Sequence, residues 1–420
     1  MRTQISKMKK AMFAIASLTL LASCQKQKMT ELQDPVIKVK GFNNATNNLH
    51  EIDYQLIWSD EFNSIGAFDN TKWSYAQRGG PAWAKYLTSS PAYVNQDGNN
   101  LVLRMDNATI AGDPVPYHSG GVSSQGKFSA TFGKIEVRAK FTQGQGSWPA
   151  IWMMPEPATQ HGTWPNCGEI DIMEHTNYSS QVYHSIHSAI GSPVFSKPAN
   201  YQVNDYNIYS LVWTPTSLAF YVNNILTDTY NKAAGADTTQ WPFDVPFYII
   251  LNQSGGQGWP GPITNADLPF SMQVDYVRVY KKNLLENGGF ESSTGLSPWV
   301  TWTPGGTSTI VSSDANSGSK SIRLQGAGEC SVQQKITGLL PNTTYTFKGY
   351  GKLSSAGNFA VVGVKNYGGA TIDSNITQTQ YEQKTITFTT GVANTSVEVY
   401  FYKNNTNGTA YADDFSLVQL

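Results

Sequence analysis

The chain is predicted to be all-β, built as two sandwiches of unequal size. Three observations carry this. Over residues 54–282, short runs rich in β-branched and aromatic residues are separated by clusters of Gly, Pro, Asn and Ser. No long segment with a 3.6-residue hydrophobic period competes with them. Aromatic residues and glycine are both abundant, with 11 Trp, 22 Tyr, 18 Phe and 37 Gly, a mixture that suits many turns and surfaces for ring stacking.

The elements follow in order. Arg2, Lys7, Lys9 and Lys10 precede an apolar stretch over 11–20, and Leu21-Ala22-Ser23-Cys24 follows. Residues 1–23 therefore read as a secretory signal. Cys24 after Leu-Ala-Ser resembles a bacterial lipobox. That resemblance implies cleavage before Cys24, acylation of the new terminus, and an exported lipoprotein anchored in a bacterial membrane, at the outer membrane or cell surface. No later stretch is long and apolar enough to span a bilayer. Residues 24–53 are polar, rich in Asn, Gln and Lys, and read as a tether. Strands are expected over 101–105, 133–141, 209–213, 218–222, 247–251 and 272–280, which makes 54–282 a β-sandwich. Composition shifts after Lys282, with few charges, much Thr and Ser, and new alternating runs. Residues 284–420 read as a second, smaller β-sandwich. The formal net charge is −1 and no basic stripe appears, so no nucleic-acid partner is expected. Cys167 and Cys330 are read as free and packed, and the protein as a monomer.

One segment points to chemistry. In Gly168-Glu169-Ile170-Asp171-Ile172-Met173-Glu174-His175, acids alternate with apolar residues, which is a strand pattern. Glu169 and Asp171 share one face, and Ile170 and Ile172 the other. Strict alternation would bury Glu174, at a cost of several kcal/mol for an unpartnered carboxylate. A one-residue bulge near Met173 returns Glu174 to the acidic face. Two glutamates with an aspartate between them on one face equip a protein for glycoside hydrolysis. A calcium site fits less well, because calcium loops favour Asp, Asn and Gly on irregular backbone.

This segment closely resembles the signature of glycoside hydrolase family 16 in its bulged form. Trp58-Ser59-Asp60-Glu61-Phe62, Gly133-Lys134-Ile135-Glu136-Val137-Arg138-Ala139, Trp148-Pro149-Ala150-Ile151-Trp152 and Val274-Asp275-Tyr276-Val277-Arg278-Val279-Tyr280 resemble further motifs of that family. The resemblance implies a concanavalin-like β-jelly-roll with an open cleft, and retaining, endo-acting hydrolysis of β-linkages without a cofactor. It also implies that Glu169 is the nucleophile, Glu174 the acid/base, and Asp171 the residue that orients Glu169. Like charges at short range allow Glu174 to stay protonated while Glu169 is ionised. Trp148, Trp152, Trp164 and Trp259 are candidate sugar platforms, and His187, Asn252 and Gln253 candidate sugar contacts. His175 is weighed as structural.

The substrate reading leans to β-galactosidic bonds of poly-N-acetyllactosamine, keratan or mucin chains. The reasons are His175-Thr176-Asn177 after the last acid and Val182-Tyr183-His184-Ser185-Ile186-His187-Ser188. An endo-β-1,3(4)-glucanase acting on laminarin is the alternative. A surface glycan-binding protein that does not cut is the alternative of another class.

Leu285-Glu286-Asn287-Gly288-Gly289-Phe290-Glu291, Trp299, Ser317-Gly318-Ser319-Lys320-Ser321-Ile322 and Ala412-Asp413-Asp414-Phe415 resemble carbohydrate-binding modules of the family 4, 9 and 22 type. By that resemblance Glu291 and Asp414 fit where such modules bind a structural calcium. Trp299, Trp302, Tyr367 and Tyr402 are candidate platforms there, and a spacer without a ligand is the alternative.

Overall fold

The computed structural model describes residues 54–157, 159–404 and 406–420. The signal, Cys24 and the tether lie outside the described residues. Apart from two 3-10 turns, Ala82–Ala84 and Asn265–Asp267, the regular structure of the described residues is strand.

The first sandwich packs two antiparallel layers. One runs in the order Gly191–Asn200, Gln181–Ser188, Glu169–Glu174, Ser147–Pro155, Phe247–Gly255 and His118–Ser123, with Ser74–Tyr75 at its edge. The other runs Leu101–Asp106, Phe270–Lys282, Gly133–Phe141, Asn207–Trp213, Ser217–Val222 and Ile225–Asn231. Pairing of Met105 with Ser119 joins the two into one curled sheet. Alternation decides what faces inward. Ile135, Val137 and Ala139 meet Ile151, Met153 and Ile170 in a shared core, and each fully buried side chain of this size contributes about 1.5–3 kcal/mol.

The motifs outside the acidic strand act as mortar. Asp60 accepts the indole N–H of Trp73 at 2.9 Å and the backbone N–H of Phe62 at 3.1 Å. Glu61 accepts both arms of the Arg278 fork at 3.0 and 2.7 Å. Tyr276 donates to Glu136 at 2.8 Å.

Residues after Lys282 form two five-stranded sheets. One is ordered Val300–Trp302, Cys330–Thr337, Ser396–Lys403, Ala360–Lys365, Ile372–Ile376. The other is ordered Thr307–Val311, Ser321–Gly326, Gly408–Gln419, Thr344–Leu353, Glu382–Thr389. They enclose their own core of Phe290, Trp299, Phe347, Tyr367, Phe401 and Phe415. Two expected platforms are thereby corrected. Trp299 packs its ring 5.3 Å from Phe415, and Tyr367 packs 4.9 Å from Phe388, so both are core residues. Trp302 is exposed, and Ser331 pairs with both Trp302 and Tyr402, which places the two aromatic positions in one row of the sheet. Cys167 and Cys330 are buried free thiols.

Candidate active site

The acidic strand begins at a glycine for a steric reason. Gly168 has φ +87°, and a Cβ there would lie 2.8 Å from Pro242. From Glu169 onward the register is explicit. Asp171 pairs with Trp152 on one side and Ser185 on the other, and Glu174 pairs with Ala150 and Tyr183. Between these pairs the register shifts, because Met173 opposes Ile151, the direct neighbour of Trp152, and Ile172 is the surplus residue. The expected bulge is therefore present at Ile172–Met173. Both side chains are fully buried in the core, and the three acids face the other way.

Core groups hold the bulge. His184 Nδ1 lies 2.6 Å from the Ile172 carbonyl oxygen, and His184 Nε2 lies 2.9 Å from Thr227 Oγ1. The ring stacks 4.9 Å from Phe220. Burial pulls the His184 pKa down to about 4, so the ring is neutral near pH 7.

Each glutamate receives an indole donor. Trp164 Nε1–H donates to Glu169 Oε2 at 2.7 Å, and Trp148 Nε1–H donates to Glu174 Oε1 at 3.0 Å. His187 Nε2 lies 3.2 Å from Asp171 Oδ2 and 3.7 Å from Glu169 Oε1. Burial raises the pKa of all three acids. Asp171 and Glu174 push Glu169 further up, while His187 and the Trp164 hydrogen bond pull it back. Glu174 also pushes Asp171 up, and a hydrogen bond with Glu169 opposes this. For Glu174 the opposing groups are Trp148, His187 and Ser185. Electrostatics of the free cleft thus raises Glu169 as well as Glu174 and does not by itself single out the protonated partner.

The predicted sugar-contact residues divide. Trp164 and Trp259 are 53% and 49% exposed, and Trp148 is partly exposed. The Trp259 ring stands edge-on, 6.3 Å from Trp148 and 5.1 Å from Tyr183. Aromatic surface therefore stands at both ends of the acidic row. Three assignments are corrected. Trp152 is buried, sits edge-on to Trp83 at 4.7 Å, and donates to Asn252 Oδ1 at 2.8 Å. Asn252 is buried with its amide on Ser254 Oγ at 3.0 Å, and Gln253 is buried with its amide on Ser147 Oγ at 3.0 Å. The indole N–H of Trp152 and the side-chain amide N–H groups of Asn252 and Gln253 are thus spent on protein partners. His187 belongs to the acidic cluster, and His175 is a buried structural residue on the Ser179 carbonyl at 2.7 Å.

Sequence reasoning missed Trp83, His184 and Ser192 as contributors to the site. Ser192 Oγ lies 2.7 Å from His187 Nδ1. Only the folded hairpin brings it there, and no motif marks it.

In the second sandwich, Glu291 accepts the backbone N–H groups of Ser319 and Lys320, each at 2.6 Å. Asp414 accepts from Asn316 and Ser317 side chains at 2.7 Å each. Asp413 lies beside Asp414, and burial together with Asp414 pushes its pKa up to about 8. The Asp413 and Asp414 carboxylates lie beside Gly289, and the Glu291 carboxylate lies against Gly318. The set offers oxygen only, as calcium prefers.

Comparison with known proteins agrees with this geometry. The family model described as glycosyl hydrolases family 16 matches residues 82–278, and the model described as carbohydrate binding domain matches residues 282–408. A keratan-sulfate endo-1,4-beta-galactosidase of Sphingobacterium multivorum is 58% identical over 416 residues, which is 97% of each chain. A beta-glucanase of Rhodothermus marinus is 32% identical, covering 54% of this chain and 85% of its own. Among solved structures, SCLam, a non-specific endo-beta-1,3(4)-glucanase from family GH16, superposes with a TM-score of 0.51 at 33% identity, over 55% of this chain and 92% of its own.

Proposed function

The chain belongs to glycosyl hydrolases family 16 and carries a C-terminal carbohydrate-binding domain. From that premise we propose that it cuts internal β-1,4-galactosidic bonds of keratan-sulfate-type chains. One observation carries the substrate reading. The 58% identity to the keratan-sulfate endo-1,4-beta-galactosidase runs through both sandwiches, over 97% of this chain. The glucanase reading is second. Its support is the 33% identity to SCLam, which covers 55% of this chain.

The chemistry assigned to the site is a double displacement. Asp171, at 2% exposure the most deeply buried of the three acids, lies between the glutamates and orients Glu169. The Trp164 N–H donates to Glu169, and hydrogen bonding to the charged form favours ionisation. Its carboxylate attacks the anomeric carbon, and Glu174 protonates the departing oxygen. The glycosyl ester removes the charge of Glu169. Glu174, now ionised, takes a proton from water, which attacks the same carbon and restores the β-anomer. Trp164 lies at the Glu169 end and Trp148 with Trp259 at the Glu174 end, where sugar C–H faces can stack on the rings.

Outside the described residues, Cys24 is proposed as a lipidated anchor at a bacterial membrane. Calcium is proposed as a structural ion at Glu291 and Asp414. The decisive experiment digests keratan sulfate, mucin glycans, laminarin and mixed-linkage glucan in parallel and identifies the fragments by mass. New reducing-end galactose from keratan sulfate is expected. Cleavage of the glucans with keratan sulfate left intact overturns the galactoside reading.

A further inference from the structure

The acidic face also presents a converging donor set. His187 Nε2, Asp171 Oδ2 and Glu169 Oε1 point at one another, with separations of 3.2 Å to Asp171 and 3.7 Å to Glu169. These residues each offer a donor atom, and no two of the three are more than 4.8 Å apart. Asp171 Oδ2 is buried and has no hydrogen-bond partner, a costly state for a carboxylate oxygen. The remaining atoms of the other two groups are held from outside. His187 Nδ1 is on Ser192 Oγ at 2.7 Å, and Glu169 Oε2 is on Trp164 Nε1 at 2.7 Å. Side chains that bind metals are typically fixed in this way by outer partners.

We propose that Glu169, Asp171 and His187 form a site for a divalent cation of the zinc class, and that its occupation blocks hydrolysis. A tetrahedral zinc ion with bonds of ~2.0–2.2 Å sets its donors roughly 3.4 Å apart, and the separations of 3.2 and 3.7 Å bracket that edge. One imidazole and two carboxylates suit zinc. Calcium takes six to eight oxygens and magnesium keeps several waters. Two carboxylates balance the charge of the ion, and the fourth position opens to the cleft. Glu169 cannot coordinate the ion and attack a sugar at once, so ion and glycan compete. Among the described residues no other group of three or more His, Cys, Asp or Glu side chains gathers in this way.

The test is spectroscopic and does not depend on which glycan is cut. Cobalt(II) is titrated into the full chain and followed by its visible absorption. One equivalent should give the intense bands of a four-coordinate ion, and Zn2+ should displace it. Ser192→Ala, which leaves all three ligands in place, should weaken binding roughly ten- to hundredfold. His187→Phe should abolish the bands, and Glu174→Gln should keep them. On any glycan that the protein cuts, Zn2+ should inhibit competitively, and Ser192→Ala should lose sensitivity by the same factor. Absence of the bands from the wild-type chain, or their survival unchanged in both His187→Phe and Ser192→Ala, overturns the site.

Discussion

The Nδ1 atom of His184 lies 2.6 Å from the carbonyl oxygen of Ile172, the surplus residue of the catalytic strand. A bulge disrupts the ladder locally and leaves its extra residue unpaired. Here the lost partner is replaced from the core side. The ring meets the carbonyl through Nδ1, and its Nε2 lies 2.9 Å from Thr227 Oγ1, whose hydroxyl also reaches the Phe220 carbonyl at 2.8 Å. A second strand and the opposite sheet thereby fix the kink that turns Glu174 to the same face as Glu169.

His184→Phe should preserve the stack on Phe220 and leave the Ile172 carbonyl without its donor. A displacement of about 1 Å at the reacting groups can cost around a hundredfold, so kcat should fall ten- to hundredfold with KM little changed. Loss of the buried hydrogen bond should cost about 1–3 kcal/mol. Steady-state kinetics and thermal melts check both, and a wild-type kcat in a folded variant removes the positioning role.

The same histidine gives a pH signature. Burial lowers its folded pKa to about 4 from an ordinary 6.5. A depressed base contributes stability above pH 6.5 that is lost as pH falls through 4. The wild-type chain should therefore lose about 3 kcal/mol more than His184→Phe over that window. Urea titrations at a series of pH values measure the difference, and parallel curves would contradict it.

Trp164→Phe and Trp148→Phe separate the two glutamates. Each indole N–H favours the ionised form of its partner, Glu169 and Glu174 respectively. Removing the Trp164 donor raises the nucleophile, so the acidic limb of kcat/KM should move to higher pH. Removing the Trp148 donor raises the acid/base, so the basic limb should move to higher pH. Each should cost about tenfold or more at the optimum, in line with roughly 1.5–3 kcal/mol for a hydrogen bond to a charged group. Limbs that move together, or the opposite way, would exchange or cancel the assigned roles.

Much of this arrangement was legible in the sequence. Alternation of acids with Ile over 169–172, and the cost of burying Glu174, together demand a bulge, and the structure has one. The cleft aromatics were legible only in part. Trp164 and Trp259 lie in turns, where local chemistry predicts exposure. Trp152 sits on the cleft side of its strand and is covered by Trp83, a residue 69 positions earlier in the chain. Alternation gives the face and says nothing about what lies over it. Ser192 reaches His187 through a hairpin and Thr227 reaches His184 across the sandwich, relations without a motif in the sequence.

The last prediction concerns the second sandwich. Asp413 is buried beside Asp414, and its pKa is raised to about 8. A carboxyl raised above its unfolded value contributes stability at low pH that is lost as pH rises through the folded pKa. An ion at Glu291 and Asp414 would supply the missing positive charge in place of the proton. Calcium should therefore raise the melting temperature, and more so at pH 9 than at pH 6, where it must compete with the proton. At a hundred times its dissociation constant, a bound ion adds about 2.7 kcal/mol. Glu291→Gln should diminish the gain, since it removes one of the two carboxylates assigned to the ion. Melting curves recorded with calcium and with a chelator decide it. Superimposable curves at pH 9 would mean that the hydrogen bonds from residues 316–320 satisfy these carboxylates without a metal.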